Sequence, residues 1–274
     1  MTNYHNMKFS LHANTARTKM ESGNVLHAYS TGNFASPRHI DFIARSGCFD
    51  MIWFDLEHFD IPLGDLAVMD MVAKAASIAT ITRFKASSYD VVMRVLETGT
   101  DSIMCAMVAD ADEAGRIVSW AKYCEPDGGF PNGRRGWNGG NADAVYGQIP
   151  AAEYIRHRNS QTMILCQIEH ASAVEQAEAI AAIHGVDALF FGPGDYAVSI
   201  GLPGQINHPK VYEAMEKVAA AAKRQGKWWG TVGIGHEMYA QVKQLGARLI
   251  CPGGDVRIMS LGLRALMESF SAGQ

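Results

Sequence analysis

The stretch TMILCQIEHASAVEQAEAIAAIHGVDALFFGPGD, residues 162–195, decides the fold. It begins with a short apolar run (162–170), continues with residues of helical periodicity as far as Ile183, and returns to a second apolar run (186–195). A short apolar run bounded by turn residues is typical of a buried strand. Two such strands joined by a helix run parallel to each other. The stretch therefore predicts a strand, helix, strand unit.

Similar units recur along the whole chain. Apolar runs alternate with helical patterns and predict eight strands, over residues 24–30, 50–58, 77–84, 101–108, 162–170, 186–195, 227–233 and 247–255. Eight such units in 274 residues favour a closed (β/α)8 TIM barrel. An open doubly wound sheet is the alternative, but it usually carries a glycine-rich fingerprint after its first strand. Here that strand leads into STGNFASP, and no P-loop is present, so we expect no nucleotide cofactor.

One interval interrupts the repeat of these units. We expect a single barrel domain over residues 1–274, with an N-terminal extension (1–20) and a long loop (124–160). The loop contains EPDGGFPNGRRGWNGGNADAVYG and holds a dense cluster of the chain's 27 glycines. A loop of this length in a compact domain is uncommon and often functional. We predict that it faces the substrate, with a surface insertion as the alternative.

Composition excludes several classes of protein. The chain has 24 Lys and Arg against 28 Asp and Glu, and 48% of its residues are hydrophobic, which argues against disorder and against a nucleic-acid partner. Its five cysteines form no C-x-x-C pair, as expected in a reducing cytoplasm. No secretory h-region and no apolar run of the ~20 residues needed to cross a membrane are visible. The sequence predicts a cytoplasmic protein.

Acidic and basic residues recur at the carboxyl ends of the predicted strands, where the active sites of such barrels lie. Glu169 and Asp195 follow neighbouring strands, and two carboxylates with water and substrate oxygens suit Mg²⁺, Mn²⁺ or Co²⁺. Such a cation would polarise a bound carbonyl and stabilise an enolate. The alternatives are a charge at a helix N-terminus for Glu169 and a turn residue for Asp195.

Three further side chains at strand ends are candidates for the chemistry. His58 is a candidate base, and Arg83 is a candidate ligand for a carboxylate or an oxyanion. The alternatives are a structural histidine and a salt bridge at the barrel rim. Lys85 is placed for Schiff-base chemistry, but strands five and six end in carboxylates, which favours the metal-stabilised enolate. In the long loop, GRRG (133–136), which contains Arg135, is a weaker candidate for binding a carboxylate.

Several stretches resemble the HpcH/HpaI aldolase family, the class II pyruvate aldolases related to citrate lyase. The resemblance covers most of the chain from about residue 35. It rests on FDMIWFDLEHFDIP (49–62), RVLETGTDSIMCAMVADADEA (94–114), GRRGW (133–137) and QIEHASAVEQAEAIAAIHGVDALFFGPGDYAVSIGLPGQINHP (167–209). It implies a barrel with a domain-swapped C-terminal helix and a hexamer built as a trimer of dimers.

The resemblance also implies roles for individual residues. The metal ligands fall on Glu169 and Asp195, the catalytic histidine on His58, and the enolate-stabilising arginine on Arg83. Gln167 matches a residue near the pyruvate site. Gly194 and Arg135 complete our set of expected substrate-binding residues.

Four stretches depart from the family pattern. Glu97 stands where the family usually has an aspartate that orients the histidine, and Ala106-Met107-Val108 replaces Pro-x-Val. The family's G-P-A-D-L is Gly192-Pro193-Gly194-Asp195-Tyr196 here, and its R-G-V-G is Arg135-Gly136-Trp137-Asn138. These changes leave the identity of the aldehyde undetermined.

The sequence thus predicts a metal-dependent aldolase that cleaves a 4-hydroxy-2-oxo acid into pyruvate and an aldehyde. The acid is expected to be of the 2-keto-3-deoxy sugar acid or 4-hydroxy-2-oxoheptanedioate type. The alternatives are a malyl- or citramalyl-CoA lyase, an oxaloacetate decarboxylase, or a non-catalytic barrel that senses a small carboxylate.

Overall fold

The computed structural model describes residues 10–271, and its eight strands form a closed parallel barrel. Each strand pairs with the next along the chain, and the last pairs with the first. The strands are β1 (Leu26–Thr31), β2 (Met51–Asp55), β3 (Ala79–Phe84), β4 (Ser102–Cys105), β5 (Met163–Ile168), β6 (Ala188–Phe191), β7 (Trp228–Val232) and β8 (Leu249–Gly254).

Helices alternate with the strands, as the (β/α)8 prediction requires. They are α1 (Thr15–Glu21), α2 (Pro37–Arg45), α3 (Leu63–Ala75), α4 (Tyr89–Glu97), α5 (Ala111–Ala121), α6 (Ala151–Gln161), α7 (Ala171–Ala182), α8 (Pro193–Ser199), α9 (Pro209–Arg224), α10 (Gly235–Gln244) and α11 (Asp255–Ser271). The barrel prediction and the position of every strand are confirmed.

The sequence prediction differs from the structure mainly at the ends of elements. The sixth predicted strand (186–195) stops at Phe191, because Pro193 opens α8. The predicted N-terminal extension contains α1 from Thr15 onward, while residues 1–9 of it lie outside the described residues. The predicted loop 124–160 contains most of α6. Short helices of this kind lack the long apolar periodicity by which a helix is recognised in sequence.

Side chains alternate between the two sides of the barrel wall, as the period of a strand requires. On β2, β3 and β5 the residues Met51, Trp53, Ala79, Ile81, Met163 and Leu165 belong to the cluster that fills the barrel. The intervening residues pack against the surrounding helices, and Ile164, Cys166 and Ile168 show this on β5. The inward positions that follow on these strands are Asp55, Arg83 and Gln167. These three polar side chains lie at the carboxyl-terminal end of the barrel, which we call the mouth.

The segment 124–160 lies at the opposite, amino-terminal end of the barrel. Lys122, just after α5, donates from Nζ to the carbonyl oxygens of Asn159 and Thr162, and Thr162 immediately precedes β5. Arg158 on α6 donates to the carbonyl oxygen of Thr100, just before β4. Because α5 runs antiparallel to the strands, its carboxyl end and the loop after it must lie away from the mouth. The prediction that this loop faces the substrate is therefore wrong for the chain's own barrel.

None of the helices within residues 10–271 is long and apolar enough to cross a membrane.

Candidate active site

Arg83 is held at the mouth of the barrel by Asp55. The two residues are register partners on β3 and β2, and Arg83 donates from Nε to Oδ1 at 3.0 Å and from Nη2 to Oδ2 at 2.5 Å. The guanidinium lies 4.9 Å above the centre of the Trp53 ring. Burial disfavours the charge, but the hydrogen bonds and the charge of Asp55 outweigh it and raise the pKa of Arg83. Arg83 is thus a fixed cation whose orientation is set by its partner.

Glu169 is a buried carboxylate just beyond the end of β5. Its Oε1 accepts the backbone N–H of Met107 at 2.7 Å, and its Oε2 accepts Nε2 of Gln167 at 2.5 Å. Burial raises the pKa of Glu169 to about 7, and the charges of Glu57 and Asp195 act in the same direction. A carboxylate in this environment is stabilised by the arrival of a positive charge.

Gly192 allows the chain to pass close to Glu169. A Cβ at this position would lie 2.5 Å from Oε2 of Glu169. Asp195 is exposed in the first turn of α8, the helix that follows β6, and its charge raises the pKa of Glu169. A Cβ built on Gly194 meets nothing within 4 Å among the described residues, so Gly194 is not needed for close packing.

His58 lies at the rim of the same mouth. Its ring is about half exposed, and its Nε2 lies 3.7 Å from Oε2 of Glu57. The same Glu57 oxygen lies 3.4 Å from Nε of Arg83. The structure therefore brings His58, Arg83, Gln167, Glu169 and Asp195 together at one end of the barrel.

The residues at the mouth fit a divalent cation held by few protein ligands. Within residues 10–271 there is no group of three or more His, Cys, Asp or Glu side chains that could hold a metal ion. Mg²⁺ is usually bound through one or two carboxylates, with water and substrate supplying the other oxygens. Glu169 and Asp195 provide that pair, and Oε1 of Gln167 is buried without a hydrogen-bond partner in the described chain.

Two predicted site residues lie at the other end of the barrel. Glu97 ends α4, and its Oε2 accepts the side-chain amides of Asn138 at 3.0 Å and Asn141 at 2.7 Å. It does not contact His58, which lies at the opposite face. The idea that Glu97 orients His58 of the same chain is therefore wrong, because a residue at the carboxyl end of a helix that follows a strand lies at the amino-terminal face.

Arg135 lies near Glu97, in the long loop. Its buried guanidinium sits 4.7 Å from the centre of the Tyr123 ring and 3.8 Å from Oδ2 of Asp143. Its three side-chain nitrogens have no hydrogen-bond partner within the described range. It is remote from Glu169, so it does not bind the substrate of its own barrel.

Lys85 is engaged elsewhere and does not enter the mouth as a free amine. Its Nζ donates to the carbonyl oxygen of Met107 at 2.9 Å and to Oε1 of Glu113 at 2.6 Å. This geometry disfavours Schiff-base chemistry at Lys85 and agrees with the preference for a metal-stabilised enolate.

Sequence reasoning gave no role to Asp55, Glu57 or the Met107 amide, all of which contribute to the site. Asp55 could have been assigned from strand periodicity, because it occupies an inward position beside Arg83. The Met107 amide had no signal in the sequence, since any residue other than proline supplies a backbone N–H.

Comparison with known proteins assigns the chain to a family. The sequence profile of the HpcH/HpaI aldolase/citrate lyase family matches residues 33–260. The chain belongs to this family. It is an aldolase of the family and hence a carbon–carbon lyase.

Individual relatives and solved structures agree with this assignment. The chain is 28% identical over 236 residues to the 5-keto-4-deoxy-D-glucarate aldolase of Klebsiella pneumoniae, covering 86% of this chain and 89% of the relative. It is 32% identical over 228 residues to the hydroxypyruvate/pyruvate aldolase of Paraburkholderia phytofirmans, covering 82% and 86%. The crystal structure of an HpcH/HpaI aldolase from Desulfitobacterium hafniense superimposes with a TM-score of 0.85 at 29% identity, covering 93% and 95%.

Proposed function

We propose that the chain is a divalent-cation-dependent aldolase that reversibly cleaves a 4-hydroxy-2-oxo acid into pyruvate and an aldehyde. The observation that carries this proposal is the buried Glu169 carboxylate, which lies with Asp195 at the carboxyl ends of neighbouring strands, in the same mouth as the fixed Arg83. Relatives named pyruvate aldolase and 5-keto-4-deoxy-D-glucarate aldolase support this class of substrate.

The binding roles follow from where the side chains lie. Glu169 and Asp195 would hold the cation, and Gln167 would turn its free Oε1 and its amide toward the same space. Gly194 leaves room at the mouth for the substrate carboxylate. A divalent cation bound there would polarise the keto oxygen of the substrate and stabilise the negative charge that develops on it.

Arg83 and His58 perform the proton and charge chemistry. His58 removes the proton of the C4 hydroxyl, the C3–C4 bond breaks, and its electron pair moves through C3 and C2 onto the keto oxygen. Arg83 donates hydrogen bonds to that oxygen as it becomes an enolate. The proton on His58 then moves to C3 and gives pyruvate, while C4 leaves as the aldehyde.

The chemistry is tested by measuring pyruvate release from a panel of 4-hydroxy-2-oxo acids. We expect EDTA to abolish release and Mg²⁺, Mn²⁺ or Co²⁺ to restore it. Glu169→Ala should be inactive, while Glu175→Ala, an exposed glutamate on α7, should keep full activity. Release that survives EDTA, or a Glu169→Ala enzyme that retains both metal and turnover, would overturn the proposal. Malyl-CoA and oxaloacetate in the same panel test the two enzymatic alternatives.

Glu97 and Arg135 can take part in catalysis only by serving another copy of the chain, because they lie at the face opposite to their own mouth. We therefore assign them to the active site of a neighbouring subunit in the expected hexamer. Mixing inactive His58→Ala with inactive Glu97→Ala subunits should restore part of the activity, because some sites would then contain both native residues. A mixture that stays inactive while its subunits exchange argues against this assignment.

A further inference from the structure

The loop between β4 and α5 passes through a conformation that its sequence does not favour. Met107 has a φ of 54°, in the left-handed region that L-residues with bulky side chains rarely adopt. Its side chain is exposed, so apolar burial does not hold it there. The left-handed backbone therefore persists because other contacts hold it.

The two polar groups of the Met107 backbone are held from opposite sides. Its N–H donates to Oε1 of Glu169 at 2.7 Å, and its carbonyl oxygen accepts Nζ of Lys85 at 2.9 Å. Lys85 is itself fixed by Oε1 of Glu113 at 2.6 Å, and Oε2 of Glu113 accepts the N–H of Ala109 at 2.8 Å. Through these hydrogen bonds, Lys85 and Glu113 fix the backbone of the loop from Met107 to Ala109.

We propose that Lys85 is a positioning residue for the cation site: it holds Met107 in the left-handed conformation and so keeps the Met107 amide on Glu169. The inference rests on the proposed function, because it takes Glu169 as a ligand of the cation. The amide occupies Oε1, and Oε2 accepts Nε2 of Gln167, so the two hydrogen bonds together fix the plane of the carboxylate. Without it, the carboxylate is held only through Oε2, by Gln167, and can rotate about that one bond.

An ordinary rim salt bridge between Lys85 and Glu113 would give different results. An exposed ion pair of that kind contributes little to stability. Its loss would remove no contact that orients a metal ligand. The only effect on cation binding would be the removal of a nearby positive charge, which by Coulomb's law leaves binding unchanged or tightens it. The positioning role predicts the opposite sign, namely weaker binding after the lysine is removed.

The experiment measures Mn²⁺ binding to the metal-free protein by titration calorimetry. We expect Lys85→Met to raise the dissociation constant about tenfold, as loss of a group that orients a metal ligand typically does. Lys85→Arg should restore most of the affinity. Lys243→Met, at an exposed lysine on α10, is the matched control and should bind as the wild type does. Unchanged or tighter binding by Lys85→Met would overturn the inference.

A second variant tests the route through Met107. Glycine adopts positive φ readily, so in a Met107→Gly background the left-handed turn no longer depends on Lys85. The effect of Lys85→Met on Mn²⁺ affinity should shrink severalfold in that background. If the effects of the two substitutions on Mn²⁺ affinity are fully additive, Lys85 does not act through Met107.

A readout independent of metal is hydrogen exchange at the Met107 amide. In the metal-free protein, Lys85→Met should speed exchange of this amide, and an unchanged rate would overturn the inference. If the wild type binds no Mn²⁺, the proposed function is wrong, and so is the inference that rests on it. If the wild type binds and Lys85→Met binds equally well, only the inference fails.

Discussion

At the scale of single residues, Arg83 depends on Asp55 for its orientation. Both side chains are nearly buried, and two parallel hydrogen bonds join them. Removing one member of a buried ion pair leaves the other charge without compensation, which costs more than the pair contributes. The cation–π contact with Trp53 cannot replace the lost acceptors.

Asp55→Ala should therefore lower the free energy of unfolding by roughly 3 kcal/mol and abolish aldol cleavage. The matched control is Asp41→Ala, which breaks an exposed pair with Arg45 one helical turn away and should cost at most about 0.5 kcal/mol. Urea denaturation of both variants measures the difference. If Asp55→Ala and Asp41→Ala lose the same free energy of unfolding, burial of the Asp55–Arg83 pair does not increase the cost of breaking it.

Asp70 makes the stability of the protein depend on pH. It is fully buried on α3, Thr98 donates to its Oδ2 at 2.8 Å, and burial raises its pKa from 3.8 to about 7. Between these two pH values the unfolded chain releases the proton while the folded protein retains it. The free energy of unfolding therefore falls as pH rises from about 4 to about 7.

Asp70→Asn should remove this contribution. Across that range the pH slope of the variant should differ from that of the wild type by up to about 1.4 kcal/mol per pH unit. Glu169 titrates in the same direction in both proteins, so the difference isolates Asp70. Denaturation curves at several pH values provide the measurement, and parallel slopes would show that Asp70 titrates normally.

At the scale of elements, the junction of β6 and α8 determines how closely the backbone approaches Glu169. Gly192→Ala would place a Cβ 2.5 Å from Oε2 and 2.8 Å from Cβ of Glu169. Because the carboxylate would have to move, we expect Mn²⁺ affinity and kcat both to fall at least tenfold.

The control for this substitution is Gly115→Ala on α5. In the described part of the chain nothing lies within 4 Å of a Cβ at Gly115, and alanine is the better helix former by about 1 kcal/mol. This variant should keep full activity and be slightly more stable. If Gly192→Ala and Gly115→Ala bind Mn²⁺ with equal affinity, the close packing of Gly192 against Glu169 is not needed for cation binding.

The same elements show what sequence can and cannot predict. The alternation of β2 and β3 is enough to place Asp55 beside Arg83, and strand ends are enough to bring Glu169 and Asp195 to one mouth. The direction of α4, antiparallel to the strands, would also have placed Glu97 at the amino-terminal end of the barrel. A role assigned by resemblance takes no account of that direction. The left-handed turn at Met107 could not be predicted, because contacts with Lys85 and Glu169, distant in sequence, hold it.

At the scale of the whole molecule, α11 leaves a large apolar surface uncovered in a single chain. Its exposed apolar side chains cover most of its circumference, beside a narrow polar stripe that contains Arg257, Arg264 and Glu268; they are Val256, Ile258, Met259, Leu261, Leu263, Leu266, Met267 and Phe270. A helix normally buries its apolar face against another element. This supports the expectation that α11 is exchanged with a second copy in a hexamer.

Leu263→Glu should accordingly shift the protein to smaller assemblies, because it places a charge in the proposed interface. Gln241→Glu adds the same charge at an exposed position of α10 and should leave the assembly unchanged. Sedimentation velocity distinguishes the two outcomes. If Leu263→Glu sediments as the wild type does, α11 does not form the interface.

The central claim, enolate chemistry at the mouth of the barrel, is tested most directly without knowing the aldehyde. Pyruvate is incubated with the enzyme in deuterium oxide, and exchange of its methyl protons is followed by NMR. We predict exchange that requires a divalent cation and slows at least a hundredfold in both Glu169→Gln and Arg83→Lys. Wild-type exchange no faster than in buffer, or exchange that Glu169→Gln leaves unchanged, would contradict the account.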